Sequence, residues 1–245
     1  MMKRILLISL AVLAAAACKK ITPEQQVSKI AEFLGGYENE YVTPLTQHDT
    51  GRRLDYLTLV LNRDLDANSI WTLETGGGTS LNAEFPGREK NKQISLISAS
   101  IDDPAACAAA LGILRAFKEQ RLNTANTLRL LVYDNTPDSL GVSGLESVIR
   151  DYRASEELIT FDLELSTCDT LPNHTFIMEE KPVFVEKILE VIPPYFKQLG
   201  DYQFVQGEYP NHDWPLKSSV YRYRIDPGDL PRETAAAAAL TLLLN

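Results

Sequence analysis

Residues 93–114, Gln93-Ile94-Ser95-Leu96-Ile97-Ser98-Ala99-Ser100, Ile101-Asp102-Asp103, then Pro104-Ala105-Ala106-Cys107-Ala108-Ala109-Ala110-Leu111-Gly112-Ile113-Leu114, decide the fold. From Ile94 the first segment is apolar or small without clean alternation, as in a strand covered on both faces of a sheet. Two acids and a proline then open a long Ala-rich run. Carboxylates cap the free N–H groups of a helix, and proline is tolerated in its first turn, so the spacing predicts a helix over Pro104–Glu119. Strand, short loop and helix thus follow in twenty-seven residues. The unit recurs downstream: strands are expected at Thr127–Tyr133 and Leu158–Leu165, with a helix over Val142–Tyr152 between them. Strands alternating with helices of 10–15 residues predict a three-layer αβα sandwich around a mostly parallel, mixed sheet. Ligand sites in such sheets lie at the carboxyl ends of the strands. Those ends are Ser100–Asp103, Asp134–Asp138 and the chain after Asp162, all rich in Asp, so an acidic pocket is expected there.

Outward from this centre the signals are plainer. Thr22-Pro23-Glu24-Gln25 reads as a helix start, with Val27, Ile30, Ala31 and Leu34 on one face and Gly35-Gly36 as the stop. A second helix is expected over Arg52–Arg63, then strands over Ile70–Glu74 and Ser80–Phe85. Gly76-Gly77-Gly78 leads into strand-like residues rather than a helix, which favours a turn over a phosphate loop. Pro182–Leu199 reads as helical but interrupted at Pro193-Pro194. Short strands near Gln203 and Ser219 precede a last helix over Arg232–Leu244.

The N-terminus has its own logic. Lys3 and Arg4, an apolar run from Ile5 to Leu13 and the small residues Ala14–Ala17 have the three regions of an export signal over residues 1–17. The run is shorter than the roughly 20 residues of a membrane-spanning helix. Cys18 follows at once, similar to a bacterial lipobox, so residues 18–245 are expected as one mature domain. A lipid on Cys18 would anchor it at the cell envelope, facing the periplasm or the cell surface. The chain has 24 basic and 33 acidic residues, a net charge of −9 that becomes more negative once Lys3 and Arg4 are removed. That argues against nucleic acid as a partner. Of the remaining cysteines, Cys107 falls in a helical pattern and reads as a small buried residue. Neither it nor Cys168 has zinc-thiolate spacing.

Five motifs in order now carry a resemblance. Leu81-Asn82-Ala83-Glu84-Phe85-Pro86-Gly87, followed by Ile94–Asp102, resembles the "N-V-I-A-E-x-P-G … V-V-V-x-A-H-x-D" entry of the zinc aminopeptidases of metallopeptidase family 28, which includes glutaminyl cyclases. Asp103–Gly112 resembles "D-N-A-S-G-V-A-A-L-L", and Leu128–Gly144 resembles "I-R-F-V-F-F-D-G-E-E-x-G-L-x-G-S". Phe161-Asp162-Leu163 is similar to "L-D-M", and Asn211-His212-Asp213-Trp214-Pro215-Leu216 to "S-D-H-x-P-F". The resemblance implies the zinc-aminopeptidase fold, and in the family two zinc ions bridged by an Asp.

Carried over residue by residue, it also implies that the metal site is degraded. The His of H-x-D falls on Ser100, with its companion at Asp102. The bridging Asp is Asp103, and the L-D-M ligand is Asp162. The general base falls on Thr136, the neighbouring ligand Glu on Pro137, and the last His on Asp213, with His212 one place earlier. A catalytic zinc takes three protein ligands with a water in the fourth place. Asp103, Asp162, His212 and Asp213 are left as vestigial candidates, and Thr136 has no base to offer. Ser100, Asp102, Pro137 and Trp214 are expected along the cleft, with Tyr209 near its rim.

Three functions follow. The first is a non-catalytic, lipid-anchored module that binds a peptide or protein and needs no cofactor. The second is an active aminopeptidase or cyclase with one metal, zinc or another divalent cation, rebuilt on Asp103, Asp162 and His212 or Asp213. The third is a structural envelope component. Other residues have plainer readings: Asp102 and Asp103 as helix caps, Asp134 and Asp138 as turn residues, His48 and His174 as solvated loop residues.

Overall fold

The computed structural model describes residues 37–75, 78–89, 93–122, 124–137, 139–155, 158–168, 171–179, 201–207 and 219–244. The export signal, Cys18, the helix expected after Thr22, Asp138, the Pro182–Leu199 segment and the Tyr209–Trp214 stretch lie outside the described residues.

Helices α1 (Tyr37–Gln47) and α2 (Thr50–Arg63) come first. Asp49 caps α2 by accepting the Arg52 N–H at 3.0 Å, so the helix begins two residues before Arg52. Then follow β1 (Ser69–Thr75), β2 (Gly78–Phe85), β3 (Gln93–Ser100), α3 (Pro104–Glu119), β4 (Thr127–Tyr133), α4 (Gly144–Ala154) and β5 (Leu158–Ser166). The chain continues through β6 (Thr175–Glu179), β7 (Gln203–Gln206), β8 (Ser219–Arg224), a 3-10 turn at Pro227–Asp229 and α5 (Leu230–Leu244). The strands form one eight-stranded sheet in the order β1-β2-β4-β3-β5-β8-β6-β7. Its centre, β4-β3-β5-β8, is parallel, while β1-β2, β2-β4 and β8-β6 run antiparallel. Strands β1 and β2 pair as far as Thr75 opposite Gly78.

Helices cover both faces. On one, Ile97, Ala99, Leu130, Val132, Leu163 and Tyr221 pack under α1, α2, α3 and α5. The Ala-rich runs of α3 and α5 let these helices approach closely: a Cβ built on Gly112 would stand 3.1 Å from the Thr234 methyl. On the other face α4 packs Val148 and Tyr152 against Leu96, Leu131, Tyr133 and Ile159. This second face is more polar: Ser98, Arg129 and Asp162 are buried there among the apolar residues. The Pro86-Gly87 step has a steric reason. A side chain at Gly87 would meet the Asn126 carbonyl oxygen at 2.2 Å. That close approach lets Arg88 and Glu89 donate backbone hydrogen bonds to Thr124 and Ala125, at 2.9 and 3.0 Å. Among the described residues no helix is long and apolar enough to cross a membrane.

Candidate functional site

In the parallel centre the strand exits line up. Ser100 of β3 pairs with Tyr133 of β4, and Ser166 of β5 pairs with Arg224 of β8. Two residues further in, Ser98 pairs with Glu164 and Glu164 with Arg222. The strand period of two puts all of these on the polar face.

Asp103 stands in the loop leaving β3, where the fold places the start of α3. One carboxylate oxygen, Oδ1, accepts the Ala106 N–H at 3.0 Å and caps the helix. The other, Oδ2, accepts the Thr167 N–H at 2.6 Å and the Thr167 hydroxyl at 2.8 Å. Asp103 therefore ties the exit of β3 to the exit of β5, the capping role read from sequence extended by a long-range contact. Asp102 is a different case: its side chain is 60% exposed, with Arg53 Nη1 at 3.9 Å and the Thr50 hydroxyl at 3.4 Å. Ser100 accepts the Asp102 N–H at 3.3 Å, and Cys107, buried beneath, donates its thiol to the Ser100 carbonyl at 3.2 Å. Burial raises the Cys107 thiol far above its ordinary range, so it is inert rather than nucleophilic. Cys107 is buried and Cys168 exposed, with no disulfide between them.

Thr136 and Pro137 are exposed beyond β4. Asp134 shapes that loop by accepting the Thr136 N–H at 2.8 Å, the turn role expected of it. Asp162 is not at a strand exit. It sits in the middle of β5 opposite Leu96, 1% exposed, and accepts the Ser98 hydroxyl at 2.8 Å. The acid nearer the exit is Glu164, which was not singled out from sequence. It accepts the Tyr133 hydroxyl at 3.2 Å and stands 3.1 Å from Arg222 Nε. Burial, with Glu164 beside it, pushes the Tyr133 hydroxyl well up, so it stays a hydrogen-bond donor. The signal for Glu164 was the D-x-E spacing on one strand face, legible only once the face was known.

The expected acidic pocket is therefore corrected. Among the described residues Asp102, Asp103 and Asp134 turn to separate backbone and side-chain partners, and Arg222 offsets Glu164. Among the described residues no three His, Cys, Asp or Glu side chains group as a metal site. At the described positions Ser100, Thr136 and Pro137 offer no imidazole or carboxylate, while both oxygens of Asp103 accept hydrogen bonds. His174, expected to be solvated, is also corrected. Its Nδ1 lies 2.9 Å from the buried Glu233 of α5.

No family model matches the sequence, and no curated protein matches it. Solved structures do match. LapB from Legionella pneumophila is 12% identical over 92% of this chain and 75% of its own, with a TM-score of 0.62. A Zn-dependent exopeptidase from Parabacteroides distasonis is 15% identical over 87% of this chain and 97% of its own, TM-score 0.59. A glutaminyl cyclase from an Acidobacteriales bacterium is 9% identical over 87% of this chain and 93% of its own, TM-score 0.62. At such identities the likeness is one of architecture. The chain has the α/β fold that zinc exopeptidases and glutaminyl cyclases share.

Proposed function

We propose that this protein is a lipid-anchored cell-envelope module whose peptidase-like domain does not hydrolyse peptides and instead binds a peptide or protein partner at the exits of β3, β4 and β5. The observation that carries the reading is Asp103. At the position the resemblance gives to the metal-bridging aspartate, both carboxylate oxygens are already committed to Ala106 and Thr167. Thr136 at the general-base position adds to it, because a hydroxyl cannot take a proton from water near neutral pH. A metal-activated water would need the ligands that the resemblance gives to Ser100 and Pro137, and neither side chain supplies an imidazole or carboxylate.

The reading expects the purified protein to hold less than one equivalent of zinc and to leave aminoacyl reporter substrates intact above background. Metal analysis and a reporter assay check both. Stoichiometric zinc, with turnover abolished by a chelator and by Asp162→Ala, would instead establish the rebuilt single-metal enzyme. Anchoring rests on the export signal and Cys18. Cys18→Ser is expected to leave the precursor unprocessed or to release the protein from membranes. Processing and membrane fractionation unchanged from wild type would refute the lipid anchor.

A further inference from the structure

The two edges of the sheet differ. At one end β7 is four residues long, and shortness is one of the ways an edge strand avoids joining another. At the other end β1 is Ser69-Ile70-Trp71-Thr72-Leu73-Glu74-Thr75, seven residues without Lys, Arg, Pro or Gly. Among the described residues it pairs with β2 alone, in a register unbroken by any bulge. Alternate N–H and C=O groups along its outer side therefore turn away from the sheet, with none of the usual devices that blunt an edge. Its side chains also suit a paired strand. Ile70, Trp71 and Leu73 are only half-buried, Ile70 against the core beneath α3 and α5 and Leu73 against the core beneath α4. Trp71 shares the face of Leu73, with the Arg129 guanidinium 5.0 Å from its ring. Thr72 and Glu74 are exposed, and Glu74 accepts the Thr79 hydroxyl at 3.0 Å.

A row of unpaired strand groups is satisfied by another extended strand. We propose that this strand is β1 of a second copy of the chain, paired antiparallel about a two-fold axis beside Thr72, so that two eight-stranded sheets continue into one. The symmetry selects the register. A two-fold axis normal to the sheet keeps every side chain on its own face, so odd residues face odd ones and even residues face even ones. Centred on Thr72, the pairing uses all seven residues of β1. Trp71 then faces Leu73 of the second copy twice over, an apolar cross-strand pair on the α4 face, and Thr72 faces Thr72. The charges agree with that register. Glu74 faces Ile70, and the two Glu74 carboxylates stand four residues apart along the strands, about 13 Å. Any other centre shortens the overlap. Moving the axis to Leu73 or Glu74 also brings those two acids together, down to direct opposition, which destabilises a strand pair.

The test is the oligomeric state of the purified protein in detergent, followed by sedimentation velocity over a concentration series. Wild type is expected as a reversible dimer. Thr72→Lys sets two ammonium groups across the axis at an exposed position, and is expected to weaken the dimer by about fivefold or more while circular dichroism stays unchanged. The register has its own measure. In a Cys168→Ser background, which removes the exposed native thiol, Thr72→Cys brings two thiols within disulfide reach at the axis. Oxidised glutathione is expected to link the two copies there, with the linked peptide identified by mass spectrometry. A Glu74→Cys control, whose thiols stand about 13 Å apart, is expected to stay unlinked. A wild type that remains monomeric at every concentration would overturn the proposal and leave the edge to a strand of a different protein. A dimer that Thr72→Lys does not weaken, or in which Thr72→Cys links no better than Glu74→Cys, would overturn it as well.

Discussion

Replacing Arg129 by alanine is expected to destabilise the fold by about 3 kcal/mol, the largest single effect we expect on the polar face. The guanidinium is almost wholly buried and lies 2.5 Å from Glu84 Oε1, with the Trp71 and Tyr152 rings each 5.0 Å from its centre. Removing it discards two cation–π contacts and the packing of a long side chain, and leaves a carboxylate without its partner. Glu84 keeps a quarter of its side chain in water and the Ser69 hydroxyl at 3.3 Å, which holds the cost to the lower end of that for breaking a buried pair. Arg129→Met fills the slot between the rings and is expected to lose less than alanine; Arg129→Lys keeps the charge but not the planar stacking. Urea unfolding midpoints rank the three. An alanine variant within about 1 kcal/mol of wild type would show that the pair and the stacking contribute little.

Asp103→Ala is expected to cost about 2–4 kcal/mol, from one helix cap and two charge-assisted hydrogen bonds to Thr167. The two halves separate by substitution. Asp103→Asn keeps an oxygen for the Ala106 N–H but cannot also accept from the Thr167 backbone, so its loss should fall between wild type and alanine. Thr167→Val removes only the hydroxyl bond and should cost about 1 kcal/mol. Metal-free Asp103→Ala as stable as wild type would take away the observation on which the non-catalytic reading rests.

Local pattern was enough for the centre of the sheet. Gln93–Ser100, Pro104–Glu119 and Thr127–Tyr133 have in the structure the bounds expected of them. Their signals, a doubly buried strand and a capped Ala-rich helix, are confined to neighbouring residues. Helix α1 was not anticipated, because Pro44 inside it removes a backbone donor and breaks the expected pattern. Strand β6 was missed because five residues show too little of a period to read.

The candidate site divides along the same line. Read through the resemblance, the family's metal and base positions fall on Ser100, Thr136 and Pro137, an assignment that uses residue identities and motif order and no coordinates. It also determined that Asp103 begins a helix, because a cap and its helix are adjacent in the chain. Only the tertiary structure decided that the second oxygen of Asp103 belongs to Thr167. It alone set Glu164, not Asp162, beside Tyr133 and Arg222, and placed His174 against Glu233. Each of these pairings joins elements far apart in sequence, through strand register and helix packing. A side chain's partner there depends on which face the whole sheet turns toward it, and no local stretch of residues carries that information.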